Sequence, residues 1–191
     1  MEERSNPIAV MAKGVLKSSA SVVGFFENTV FKSTELGEIL TDIKEFDPTF
    51  DLQDFLYHVE HTLIPTVLDA YYKDDIDLLK CYLSKKCIAG YIHPRIKERE
   101  TAKIKFDAKI LNISNINLMT ARYIGEDPVL VIAGSVQYIH CLRDKKGEIV
   151  EGGIDDIREE SHMWVIQQDP THETRDWEVQ EVSFGGNVRV V

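Results

Sequence analysis

The hydrophobic period of this chain changes once, near Lys103, and that change limits the fold more than any motif does. Before it, apolar residues recur at helical spacing; after it, they alternate. The stretch "KIKFDAKILNIS" alternates, followed by "NLMTARYIG", "PVLVIAGSVQYIHCLR", "IVEGGID", "SHMWVIQQ" and "WEVQEVSFGG", all rich in Val, Ile and aromatic residues. "RDKKGE" reads as a hairpin turn with Gly147 at its left-handed position, and "DPTHETRD" as a loop. Helices first and strands second predict an α+β fold. Its N-terminal helices pack on a curved, mainly antiparallel sheet of four or five strands.

The helical half divides at its punctuation. Residues 8–31 predict an amphipathic arm with Ile8, Met11, Ala12, Val15, Leu16, Val22, Val23, Phe26 and Val30 on one face and Lys13 and Lys17 opposite. Gly14 and Gly24 each cost it about 1 kcal/mol relative to Ala, so the arm needs a partner surface. Ser33 or Thr34 caps a helix ending before Pro48. Asp51 caps another, with Leu52, Phe55, Leu56, Val59, Leu63, Val67 and Tyr71 as its stripe and a kink expected at Pro65. A fourth helix is expected over "IDLLKCYLS", and a fifth over "KCIAGYIHPRIKERE", broken near Pro94. The domain division is an arm, 1–33, and an α+β domain, 34–191.

Four aspartates, Asp69, Asp74, Asp75 and Asp77, crowd the end of the third helix. Asp74 or Asp75 is placed to cap the fourth helix, with Asp77 in its first turn and Asp69 solvated. A divalent-metal site or a partner-facing cluster is the alternative. Motifs for a nucleophile elbow, a phosphate loop, a zinc protease or a dinucleotide fingerprint do not occur. His58 and His61 share a helix face without further ligands, and His140 and Cys141 are strand neighbours that face opposite sides. Asp107 or His140 in a cone-shaped pocket is the remaining acid/base candidate. No catalytic residue, metal or cofactor is expected.

The formal charge is −10, yet between Lys80 and Lys105 eight Lys/Arg face only Glu98 and Glu100. That window is +6 and the remainder −16, which disfavours DNA and leaves the window as either a local anionic contact or a solvated helix face. Lys80, Lys85, Lys86, Arg95, Lys97 and Arg99 are its candidates for anionic lipid or phosphate. Met11, Val15, Val22, Val23, Phe25 and Phe26 are the arm's candidates for a membrane or partner. Cys81, Cys87 and Cys141 are odd in number and lack metal spacing, as core thiols in a reducing compartment would. The sequence holds no apolar run of about 20 residues, and its first residues, "MEERSNP", do not read as a secretory leader, as expected of a chain that needs none or of a processed or trimmed form.

Phe25-Phe26, "DPTF" at 47–50, "LIP" at 63–65, "DAYYKDD" at 69–75, "LK" at 79–80, "KILNI" at 109–113, "PVLVIAG" at 128–134, "GEIVEG" at 147–152 and Trp177 occur in this order. Together they resemble the C-terminal domain of subunit forty-four of the mitochondrial inner-membrane presequence translocase, over roughly residues 20 to 183. The resemblance implies an α+β cone like that of nuclear transport factor two. It implies a non-catalytic scaffold, peripheral on the matrix face of the inner membrane. Such a scaffold joins the translocase channel subunits to the matrix seventy-kilodalton chaperone and contacts cardiolipin through its leading helices, here Ile8 to Phe31. The family's long N-terminal half has only a short arm as its counterpart in this sequence, so the chaperone contact would need a partner or a longer precursor. The same domain type serves in a mitochondrial ribosomal protein. A structural subunit of a ribosome or inner-membrane complex is therefore the alternative, with RNA as a partner only in the ribosomal case.

Overall fold

The computed structural model describes residues 33–125, 127–168 and 177–190. The arm expected at 8–31, with Met11, Val15, Val22, Val23, Phe25 and Phe26, and the loop expected at 169–176 lie outside these residues. Helix α1 (Ser33–Phe46) is followed by α2 (Leu52–His58), whose first turn Asp51 caps by accepting the Gln53 and Asp54 amides at 2.8 and 3.1 Å. The helical run does not stop there. A π-helical turn (Val59–Leu63) joins α2 to α3 (Ile64–Tyr72). The Ile64 amide reaches back to the Val59 carbonyl rather than to residue 60. Pro65 explains the widening. In a regular helix its ring would press on the carbonyl four residues back and offer it no N–H, so one extra residue loops out ahead of it.

The same device recurs. After α4 (Ile76–Leu79), α5 (Lys85–Cys87) begins at Ser84, which accepts the Cys87 amide at 3.1 Å. A second π-turn (Ile88–Ile92) then precedes α6 (His93–Ala102), with Pro94 at its start. The expected break near Pro94 is a widening, and the run continues through it. Helix α4 is shorter than expected. The Leu83 backbone pairs in parallel with Val179, and the Ser84 amide donates to the Val179 carbonyl at 3.0 Å, drawing the chain out of the helix.

Strands β1 (Ile104–Phe106), β2 (Lys109–Ile124), β3 (Asp127–Asp144), β4 (Ile149–Gln168) and β5 (Trp177–Arg189) form one curved antiparallel sheet. β3 is central. It pairs with β4 along one edge and with β1 and then β2 along the other, and β5 closes the far side of β4. The fold class is the expected one. The segments "KILNIS" and "NLMTARYIG" merge into β2, and "IVEGGID" and "SHMWVIQQ" into β4, each bent by bulges rather than broken by turns. One bend needs Gly152 (φ +74°), where a Cβ would lie 2.1 Å from the His140 carbonyl oxygen.

The main core lies between the helices and the inner face of the sheet. Ile39, Ile43, Val59, Leu63, Ile64 and Leu68 meet Leu130, Ile132, Val136, Trp164, Ile166 and Val182 there. The predicted stripe of the third helix is the face that packs: Phe55, Val59, Leu63, Val67 and Tyr71 are buried. On the outer face a smaller cluster joins Val129, Val131 and Val165 to Met119 and Met163.

Candidate functional site

The crowded aspartates separate into individual roles. Asp75 caps α4, accepting the Leu78 amide at 3.0 Å. Asp69 and Asp77 make exposed pairs with Lys73 and Lys80, each at 2.7 Å. Asp74 adopts φ +57° and turns its carboxylate to the Arg99 guanidinium at 2.5 Å.

That last contact changes the reading of the basic window. Arg99 is 3% exposed. Besides Asp74, it donates to the Tyr71 carbonyl at 3.0 Å and lies 4.5 Å over the Tyr71 ring. Burial opposes its charge, but Tyr71 and Asp74 outweigh burial and hold its pKa above the ordinary value. Arg95, one turn earlier, sits 5.0 Å over the Phe184 ring, and Phe184 stacks on Tyr71 at 5.6 Å. The two arginines therefore clamp a pair of stacked rings and fasten α6 to α3 and β5. Arg99 is removed from the expected anion-contact surface, and Arg95 is engaged. Lys85, Lys86 and Lys97 are exposed, and Lys80 is exposed while paired to Asp77. Lys86 and Lys97 stand roughly 16 Å apart along the helical run.

A second basic feature, not singled out from the sequence, is a cleft of about 630 Å³ between the end of α3, strand β1 and the β3–β4 turn. Lys73, Lys105, Arg143, Lys145 and Lys146 line it, with Asp74, Asp107 and Asp144. Tyr72 and Phe106, edge to face at 4.9 Å, form its floor. Its sequence signals were Lys105, at the end of the basic window, and the cationic run in "RDKKGE", which reads as a turn.

The two acid/base candidates do not meet one partner. Asp107 is exposed and accepts from Arg143 Nε at 2.6 Å. His140 is buried, with Nε2 3.0 Å from Glu151 and Nδ1 without a hydrogen-bond partner among the described residues. Arg158 donates to Glu151 at 3.1 Å and to Asp156 at 2.9 Å. Burial, reinforced by the Arg158 charge, pulls the His140 pKa below its ordinary value, while the hydrogen bond from Arg158 holds Asp156 low. Cys87 is buried, and burial pushes its thiol up to about 12, so it is not a nucleophile near neutral pH. Among the described residues no group of three or more His, Cys, Asp or Glu is arranged to hold a metal ion.

Comparison with known proteins places this geometry in a family. The model of the Tim44-like domain matches residues 36–183. The human mitochondrial import inner membrane translocase subunit TIM44 is 30% identical over 164 residues, 85% of this chain and 36% of that protein. Arabidopsis thaliana TIM44-1 is 34% identical over 161 residues, 81% and 34% respectively. The Saccharomyces cerevisiae TIM44 is 30% identical over 195 residues, 97% and 43%. The chain thus spans between a third and somewhat under half of these relatives. A solved NTF2-like protein from Cytophaga hutchinsonii aligns over 72% of this chain and 99% of its own, at 16% identity and a TM-score of 0.40. With the family model spanning α1 through most of β5, the chain belongs to the Tim44-like domain family.

Proposed function

We propose that this chain is the membrane-attaching domain of a non-catalytic scaffold of mitochondrial protein import, on the matrix face of the inner membrane. The family match over residues 36–183 carries this reading, because the relatives it unites are named as import inner membrane translocase subunits. No helix among the described residues is long and apolar enough to cross a membrane, which suits attachment from one side.

The arm supplies the apolar part of the attachment, through Met11, Val15, Val22, Val23, Phe25 and Phe26. The charged part comes from Lys85, Lys86 and Lys97, with Lys80 free to exchange its exposed partner. Each lysine adds about 1 kcal/mol at an anionic surface such as one rich in cardiolipin. Arg95 and Arg99 hold the domain together instead. Translocase channel subunits are the proposed protein partners, and the matrix seventy-kilodalton chaperone is reached through the complex.

The test combines vesicle flotation with native purification from gently solubilised mitochondria. Wild type should float with cardiolipin-containing vesicles. Val22→Asp, Val23→Asp and Phe26→Asp together should abolish flotation, and Lys85→Glu, Lys86→Glu and Lys97→Glu should weaken it about ten-fold or more. Unchanged flotation in the first variant would overturn the role of the arm. Co-purification of ribosomal or respiratory subunits without channel subunits would overturn the import reading.

A further inference from the structure

We infer that the cleft between α3, β1 and the β3–β4 turn is a docking site for a short acidic, partly apolar peptide segment of a protein partner. Its charge balance is the reason. Each of the three carboxylates in its lining already has a partner: Asp74 holds Arg99, Asp107 holds Arg143, and Asp144 accepts the Lys146 and Glu148 amides at 2.8 and 3.0 Å. Two of the five cations are engaged, Lys73 by Asp69 and Arg143 by Asp107 and the Gly147 carbonyl. Lys105, Lys145 and Lys146 are exposed and have no such partner among the described residues. Asp144 keeps its charge, yet the five cations against three carboxylates among the described lining residues leave a positive surplus, held around a concave surface rather than spread over a helix.

The mounting is firm. Gly147 (φ +86°) and the Asp144 hydrogen bonds shape the turn, and the Arg143–Asp107 pair ties it to the segment after β1. Half-buried Phe106, braced by Tyr72, offers an apolar contact at the floor.

The chemistry favours dispersed carboxylates over a phosphate headgroup. Arg143, the one guanidinium among the described lining residues and the natural bidentate partner of a phosphate, is committed to Asp107 and Gly147. The free groups are separate lysine point charges around an aromatic floor. Carboxylates spaced along a peptide reach them singly while an apolar side chain between covers Phe106. This site does not rest on the membrane reading, whose contacts are the arm and Lys85, Lys86 and Lys97.

The test uses the full chain and a dye-labelled synthetic peptide alternating glutamate and leucine, titrated at low and moderate salt. Binding should fall about ten- to thirty-fold in the variant Lys105→Glu, Lys145→Glu, Lys146→Glu, and less in Lys145→Ala, Lys146→Ala. It should be unchanged in Lys85→Glu, Lys86→Glu. A glutamate–serine peptide of equal charge should bind more weakly than the glutamate–leucine peptide. Equal loss in the Lys85, Lys86 control, or none in the cleft variant, overturns the site. Cardiolipin-vesicle flotation that depends on Lys105, Lys145 and Lys146, without peptide binding, replaces the peptide with a lipid headgroup and also overturns the proposal.

Discussion

Asp74 and Arg99 show how unequally two partners in one contact are placed. The Arg99 side chain is 4% exposed and that of Asp74 is 32% exposed. Removing the acid leaves a guanidinium buried without its counter-charge, whereas removing the base leaves a carboxylate that water can reach. Asp74→Asn, which keeps a side chain tolerant of positive φ, should cost about 2–4 kcal/mol in urea unfolding. Arg99→Met should cost less, and the opposite order would contradict the burial argument. His140 gives a pH-dependent counterpart. Its folded site favours the neutral ring, so its pKa lies below the ordinary 6.5. As pH falls below 6.5 the unfolded chain takes up a proton that the folded chain does not, and stability declines toward the folded pKa. Wild type should therefore lose more Tm than His140→Gln between roughly pH 7.5 and 5.5, and equal losses would remove His140 from the account. The surrounding cations make Arg99 read as one more candidate for an anionic contact, although the intervals Ile92, Ile96, Arg99 place it on the buried face of a helix. No spacing rule in the sequence reveals that Asp74 stands ready to neutralise it.

Among elements, the caps and prolines were readable because their causes are local. Asp51, Asp75 and Gly147 act within a few residues of themselves. Strand lengths were not readable, because their cause is distant. "IREE" within β4 lacks alternation, yet Arg158, Glu159 and Glu160 pair with Arg189, Val188 and Asn187 of β5. The π-turns lie between these cases: the prolines are visible, but the widened turn that accommodates each of them is not. The widened turn before Pro65 is testable as a one-residue insertion. Deleting exposed Thr62 should return Pro65 to a regular helix and cost about 3 kcal/mol, whereas the same deletion with Pro65→Ala should recover most of that loss. Equal stability of the two variants in thermal unfolding would show that the proline does not set the turn.

Across the whole molecule, helices α1 to α6 and the five strands share one core, and the period change near Lys103 marks the seam between its two layers. Residues 33–191 alone should therefore unfold cooperatively, with a Tm within a few degrees of the full chain, while losing vesicle flotation. Retained flotation would shift membrane contact onto the domain itself. The central strand has a further consequence. β3 runs for 18 residues, roughly 60 Å, and is paired along both edges for much of that length. A pull directed along it loads many hydrogen bonds in parallel, so they must fail together. A pull across it peels them one at a time. The domain is thus mechanically anisotropic: stiff and strong along β3, and weak across it. Under the proposed scaffold role, attachment points that put the force along that strand would let the domain carry the greatest load.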